Sequence, residues 1–116
     1  RVNIPFDFQV RGKTLPAGDY EISRLMDESQ VLEISNVSNR HESAAIQTEP
    51  VLGRVANNGK VVFHRYGDSY FLSEIWTAGL ETGRELPASH QEKVLKRETL
   101  AQGKAAEPQI VALAIY

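Results

Sequence analysis

The residues best suited to metal or acid–base chemistry are three histidines, and they stand far apart at His41, His64 and His90. Protein zinc sites draw on close pairs such as His-x-x-x-His, because ligands one helical turn apart converge on one ion. No such pair occurs, and the chain has no cysteine. That removes thiolate ligands, thiolate nucleophiles and disulfides together. The histidines therefore read as structural or surface residues, and no metal or other cofactor is expected. The acidic residues form no Asp-x-Asp calcium loop. Neither a Gly-x-Ser-x-Gly elbow nor Ser-x-x-Lys occurs among the serines. Glu81, Arg84 and Glu85 fall in a stretch from Gly79 to Pro87 that reads better as a surface loop than as an acid–base pair. No catalytic residue, and no enzyme, is expected.

A second kind of chemistry is stacking. The run Phe63-His64-Arg65-Tyr66-Gly67-Asp68-Ser69-Tyr70-Phe71, with Trp76 beyond it, is rich in aromatic rings. His64, Tyr66, Tyr70 and Trp76 could form a platform for a carbohydrate or a small apolar ligand, helped by the loop over residues 79–87. Cross-strand pairing within a hairpin accounts for the same residues and is the preferred reading. Thirteen basic and 15 acidic side chains leave a net charge of -2 with no basic stripe, so nucleic acid is excluded as a partner.

The elements that must position these residues are mostly strands. With 116 residues, 41% hydrophobic and 24% charged, the chain has the composition of one globular domain, residues 1–116, with a single core. Val2, Ile4, Phe6, Phe8 and Val10 alternate with polar residues and Pro5, the period of a strand with one buried face. Pro5 cannot donate to a ladder, so part of this strand belongs at an edge or a bulge. Arg11-Gly12-Lys13 bends the chain, and Leu15-Pro16-Ala17-Gly18 has the residues of a turn. Alternation returns at Tyr20 and Ile22, at Leu32 and Ile34, and at Ala44, Ile46 and Thr48. Polar turns at 27–29 and 36–40 separate these runs. A strand over Val51–Ala56 leads to Asn57-Asn58-Gly59, a strong hairpin signal. A second hairpin, Lys60–Tyr66 with Ser69–Ala78, turns at Gly67-Asp68.

The one convincing helix covers residues 89–102. Ser89 and Glu92 match a capping box, Val94, Leu95 and Ala101 give a narrow apolar stripe, and Gly103 suits the C-terminal cap. The pattern predicts an all-β fold: a mostly antiparallel sandwich or barrel of seven to nine strands, with one short amphipathic helix near the C-terminus. Its expected core contains Ile4, Phe6, Phe8, Tyr20, Ile22, Leu32, Ile34, Ile46, Phe63 and Leu113.

The most unusual segment is the last, Ile110-Val111-Ala112-Leu113-Ala114-Ile115-Tyr116, which has no charged residue and does not alternate. A strand apolar on both faces is either buried on both or a template for pairing with another chain. It is far shorter than the roughly 20 residues of a membrane helix.

The segment Leu15–Arg24, the Val2–Val10 opening, the Val62–Gly79 hairpin and Gly83-Arg84-Glu85-Leu86-Pro87 together resemble a group of small exported bacterial proteins, plentiful in acidobacterial genomes. The likeness covers most of the chain. In that group these segments follow a signal peptide, which implies that Arg1 lies near a mature N-terminus. The resemblance implies export, to the cell surface or beyond, and a β fold, with no catalytic residues to carry over. Two functions are expected. The first is a structural protein that assembles with copies of itself into a filament or fibre through Val2, Ile4, Phe6, Phe8 and Val10 or through Ile110, Val111, Leu113, Ile115 and Tyr116. The second is an exported module that binds a carbohydrate or small apolar ligand.

Overall fold

The computed structural model describes residues 1–24, 31–52, 59–76, 82–86, 90–103 and 109–115. In chain order the strands are β1 (Val2–Ile4), β2 (Phe8–Val10), β3 (Lys13–Leu15), β4 (Gly18–Arg24), β5 (Val31–Asn36) and β6 (Ser43–Gln47). They continue as β7 (Glu49–Leu52), β8 (Lys60–Tyr66), β9 (Ser69–Trp76) and β10 (Thr82–Glu85). The helix α1 (His90–Ala101) precedes β11 (Gln109–Ala114). Two sheets result. One is antiparallel, in the order β1-β4-β5-β6; the other runs β11-β8-β9-β10-β7, with the β2–β3 hairpin joined to β9. The fold is a β-sandwich with one short helix near the C-terminus, as the alternating runs predict.

The opening run departs from the single strand expected of it. It breaks at Pro5, where a residue without an amide hydrogen cannot continue a ladder. β1 pairs with β4 in the first sheet, and β2 pairs with β3 and, in parallel, with β9 in the second. Val2, Ile4, Phe8 and Val10 are all buried, so alternation was a true sign of burial even where the strand changes sheet. Phe6 sits at the corner and is half-buried, stacked on Tyr70 at a centroid distance of 3.8 Å. Arg11 (φ 48°) and Gly12 (φ 84°) then make the two-residue turn into β3. Positive φ at both central residues matches the right-handed twist of a hairpin.

The described residues hold eleven strands rather than seven to nine. Part of the excess is the split opening. Part is β10, in the stretch expected to be a loop, which lies between β9 and β7. Gly83 makes that insertion possible: a Cβ there would come within 2.6 Å of Cδ2 of Trp76. Residues 53–58, including Asn57-Asn58, lie outside the described residues, as do the turn at 27–29 and Ser89.

Tyr20, Leu32, Ile34, Ile46 and Phe63 fill the space between the sheets with Val61, Leu72 and Ile75. Ile22 and Leu113 pack against this core but stay partly exposed. Leu113 does so because β11 is an edge strand, covered on one side only. The helix lies on the opposite face of the second sheet. Ala101, expected on its apolar stripe, is exposed, and Leu100 is 59% exposed. The helix residue buried against the sheet is Glu92.

Candidate functional site

Three features could carry function: a polar cluster under α1, a groove beside it, and the outer edge of β11.

The polar cluster begins with a bulge. Val62 faces Glu74 and Phe63 faces Leu72, so Ser73 is the extra residue in β9. A bulge re-aims the side chains around it, and Ser73 points to the helix-covered face beside His64. Ser73 Oγ lies 3.1 Å from His64 Nε2, and His64 Nδ1 lies 3.0 Å from Glu92 Oε2. The Tyr66 hydroxyl donates to the same Glu92 oxygen at 3.0 Å. With Glu92 ionised, the network assigns the His64 proton to Nδ1, and Nε2 accepts from Ser73. Burial and the adjacent Glu92 charge push the Tyr66 phenol up to about 12.

The order serine, histidine, glutamate is that of a nucleophile relay, which also needs an exposed oxygen and a place for the substrate carbonyl. Ser73 is 5% exposed. The groove beside the helix is lined by Gln9, Ser69, Phe71, Gln91, Val94 and Leu95 among others, and by none of the relay residues. The contacts of Glu92 with His64 and Tyr66 fasten α1 to the sheet. Glu92 was legible as a capping residue, but nothing in the sequence linked it to His64 and Tyr66, 28 and 26 positions away. Only the register of β8 under the helix brings them together.

The aromatic platform does not form as a unit. His64 and Tyr66 face the helix, whereas Tyr70 faces the other way, stacked on Phe6. Successive strand residues point to opposite faces, so residues 66 and 70 share a side only if no turn intervenes. Trp76 is buried over Gly83, with the Lys60 ammonium 5.9 Å from its ring centre. Cross-strand packing holds for Tyr66 and Phe71, whose rings meet edge to face at 5.9 Å. The groove by α1, about 450 Å³ in volume, uses none of the four residues proposed for a ligand. His41 and His90 are exposed, and both ring nitrogens of His64 are engaged elsewhere, by Glu92 and Ser73. No cluster of three metal-ligating side chains occurs among the described residues.

β11 pairs with β8 and with no other strand among the described residues. The Ile115 amide donates to the Gly59 carbonyl at 3.0 Å. In an antiparallel ladder such pairs recur at every second residue. The backbone groups of Val111 and Leu113 therefore point to β8 as well. Those of Ile110, Ala112 and Ala114 point outward. The side chains split the same way: Val111, Leu113 and Ile115 pack on the core, while Ile110, Ala112 and Ala114 are exposed. Ile110 is 59% exposed, directly across from His64. β1 approaches β11 at this flank without forming a ladder, so the sandwich does not close into a barrel. The expected burial of this strand on both faces is therefore not met within one copy, and Tyr116 lies outside the described residues. No described helix is long and apolar enough to cross a membrane.

Compared with known proteins, the chain matches no family model, no curated protein and no solved structure.

Proposed function

We propose that this chain is an exported structural protein whose copies assemble into a filament or fibre, with a second copy of the chain as the partner along β11. The observation that carries the reading is the outer edge of that strand. It offers outward amides and carbonyls at Ile110, Ala112 and Ala114, an exposed apolar stripe at the same residues, and no charge. Edge strands of proteins that stay apart are guarded by lysine, proline, bulges or extreme shortness. β11 has none of these. Strand addition to such an edge supplies main-chain hydrogen bonds to every outward group.

Both terminal strands pair within their own copy, so the contact proposed is addition to an edge and not exchange of a strand. Val2, Ile4, Phe8 and Val10 are committed to the copy's own core. A charge at Ala112 tests the reading with little risk to the fold, because that side chain is exposed. Ala112→Lys should leave the melting temperature unchanged and abolish filaments in negative-stain images that show them for the wild type. Filaments that persist in Ala112→Lys would remove β11 as the contact.

A second reading rests on the groove, whose volume is in the range of small-ligand sites. Its floor includes Phe71 and its wall Val94 and Leu95, with Gln9 and Gln91 at hand for orientation. An exported module of this kind would bind a small apolar ligand or a carbohydrate. Calorimetric titration with fatty acids and oligosaccharides, repeated on Val94→Asp, tests it; heats unchanged by the substitution would exclude the groove.

A further inference from the structure

We infer that β11 of one copy docks along β6 of the next, so that copies add head to tail and the assembly does not close. The inference rests on the assembly reading and names its second surface. It begins from a comparison of the strand edges. β7 carries Glu49 and Pro50, β3 carries Lys13, and β1 is three residues long between Arg1 and Pro5. Each has a guard of the kind that keeps edges apart. β6 reads Ser-Ala-Ala-Ile-Gln and β11 reads Gln-Ile-Val-Ala-Leu-Ala, with no charge and no proline in either.

The backbone of β6 is open in the same way. The Asn36 amide donates to the Glu42 carbonyl at 2.9 Å, so Ala44 and Ile46 turn their groups to β5 and Ser43, Ala45 and Gln47 turn theirs outward. The Lys13 ammonium takes the Ser43 carbonyl at 2.7 Å, which confirms that direction and occupies one end of the edge. The outward groups of Ala45 and Gln47 have no backbone partner among the described residues.

Placement decides the symmetry. A single residue, Thr48, joins β6 in one sheet to β7 in the other, so these two strands share a flank. β1 and β11 approach each other at the far ends of the same two sheets. The two edges that carry no charge or proline of their own therefore lie on opposite flanks. Joining different surfaces is a heterologous contact, which makes a ring where the rotation closes and a filament where it does not. Surfaces on opposite flanks set successive copies in line, as in a filament, whereas pairing β11 with β11 gives a closed dimer. A dimer would also leave β6 uncovered.

The chain has no cysteine, so introduced ones are the sole thiols. Ala45 and Ala112 are both exposed. A45C and A112C would be prepared separately, checked for wild-type melting and for polymer by sedimentation, then treated with a bis-maleimide spanning about 8 Å, the reach of a diagonal cross-strand pair. The expected result is cross-linking between copies in the assembled mixture and none in either variant alone. Cross-linking of A112C with itself would overturn the head-to-tail contact and show a β11–β11 pair. Polymer that cross-links in no combination would also overturn it, while leaving assembly intact. Protein that sediments as a monomer at every concentration would remove the assembly reading and this contact with it.

Discussion

Glu92 shows how one residue can serve local and tertiary structure at once. Its place near the start of α1 suits a negative charge at the helix N-terminus. Its Oε2 is also the acceptor for His64 and Tyr66. Removing it takes the acceptor from two half-buried donors, and the loss of a hydrogen bond to a charged group costs about 1.5–3 kcal/mol. Glu92→Ala should therefore lower stability by that amount in urea denaturation and loosen α1 first, read as faster amide exchange in the helix. Tyr66 supplies a pH dependence. Its phenol is raised from 10.0 to about 12 in the fold, so between those values the unfolded chain releases a proton that the folded chain keeps. Stability is then fully present below pH 10 and falls as pH rises toward 12. Tyr66→Phe should flatten that part of the stability curve; an unchanged slope would place the dependence elsewhere. The partners of His64 were hidden in the sequence, because periodicity carries no information about which strand a helix crosses.

At the scale of elements, the turns were the most legible features. Arg11-Gly12 and Gly67-Asp68 are short, chemically marked and independent of tertiary context, and the structure places hairpins at both. β10 was not legible, because its four residues show no alternation and it exists through backbone pairing on both sides. The close contact of Gly83 with Trp76 gives a direct test. Gly83→Ala puts a methyl group into a buried ring, and overpacking of this kind costs about 1–3 kcal/mol. A loss of that size in thermal or urea melts is expected, and a neutral substitution would show that β10 does not lie under the indole. The strand change at Pro5 was half-legible: proline marked the break, but nothing marked the second sheet. Phe63, which is 0% exposed between Phe6 and Phe8, should lose about 3–5 kcal/mol on change to alanine. Phe6→Ala, at a half-buried corner, should lose less.

For the whole molecule, the sandwich follows from alternating runs that must bury one face, and that much the composition and period predict. Which strands become edges does not follow from period, since edge and centre share the same alternation. β11 is the exception, for its lack of alternation and of charge set it apart before its place was known. Its position at the open flank beside β1 turns that anomaly into a surface. The central claim, that a second copy pairs with this edge, is tested most directly by amide exchange resolved at single residues of β11. In the dispersed Ala112→Lys protein, the outward amides of Ile110 and Ala114 should exchange fast while Val111 and Leu113 are protected. In assembled wild-type protein the amides of Ile110, Ala112 and Ala114 should become as slow as those of Val111 and Leu113. Outward amides that stay fast in the assembled protein would contradict the claim.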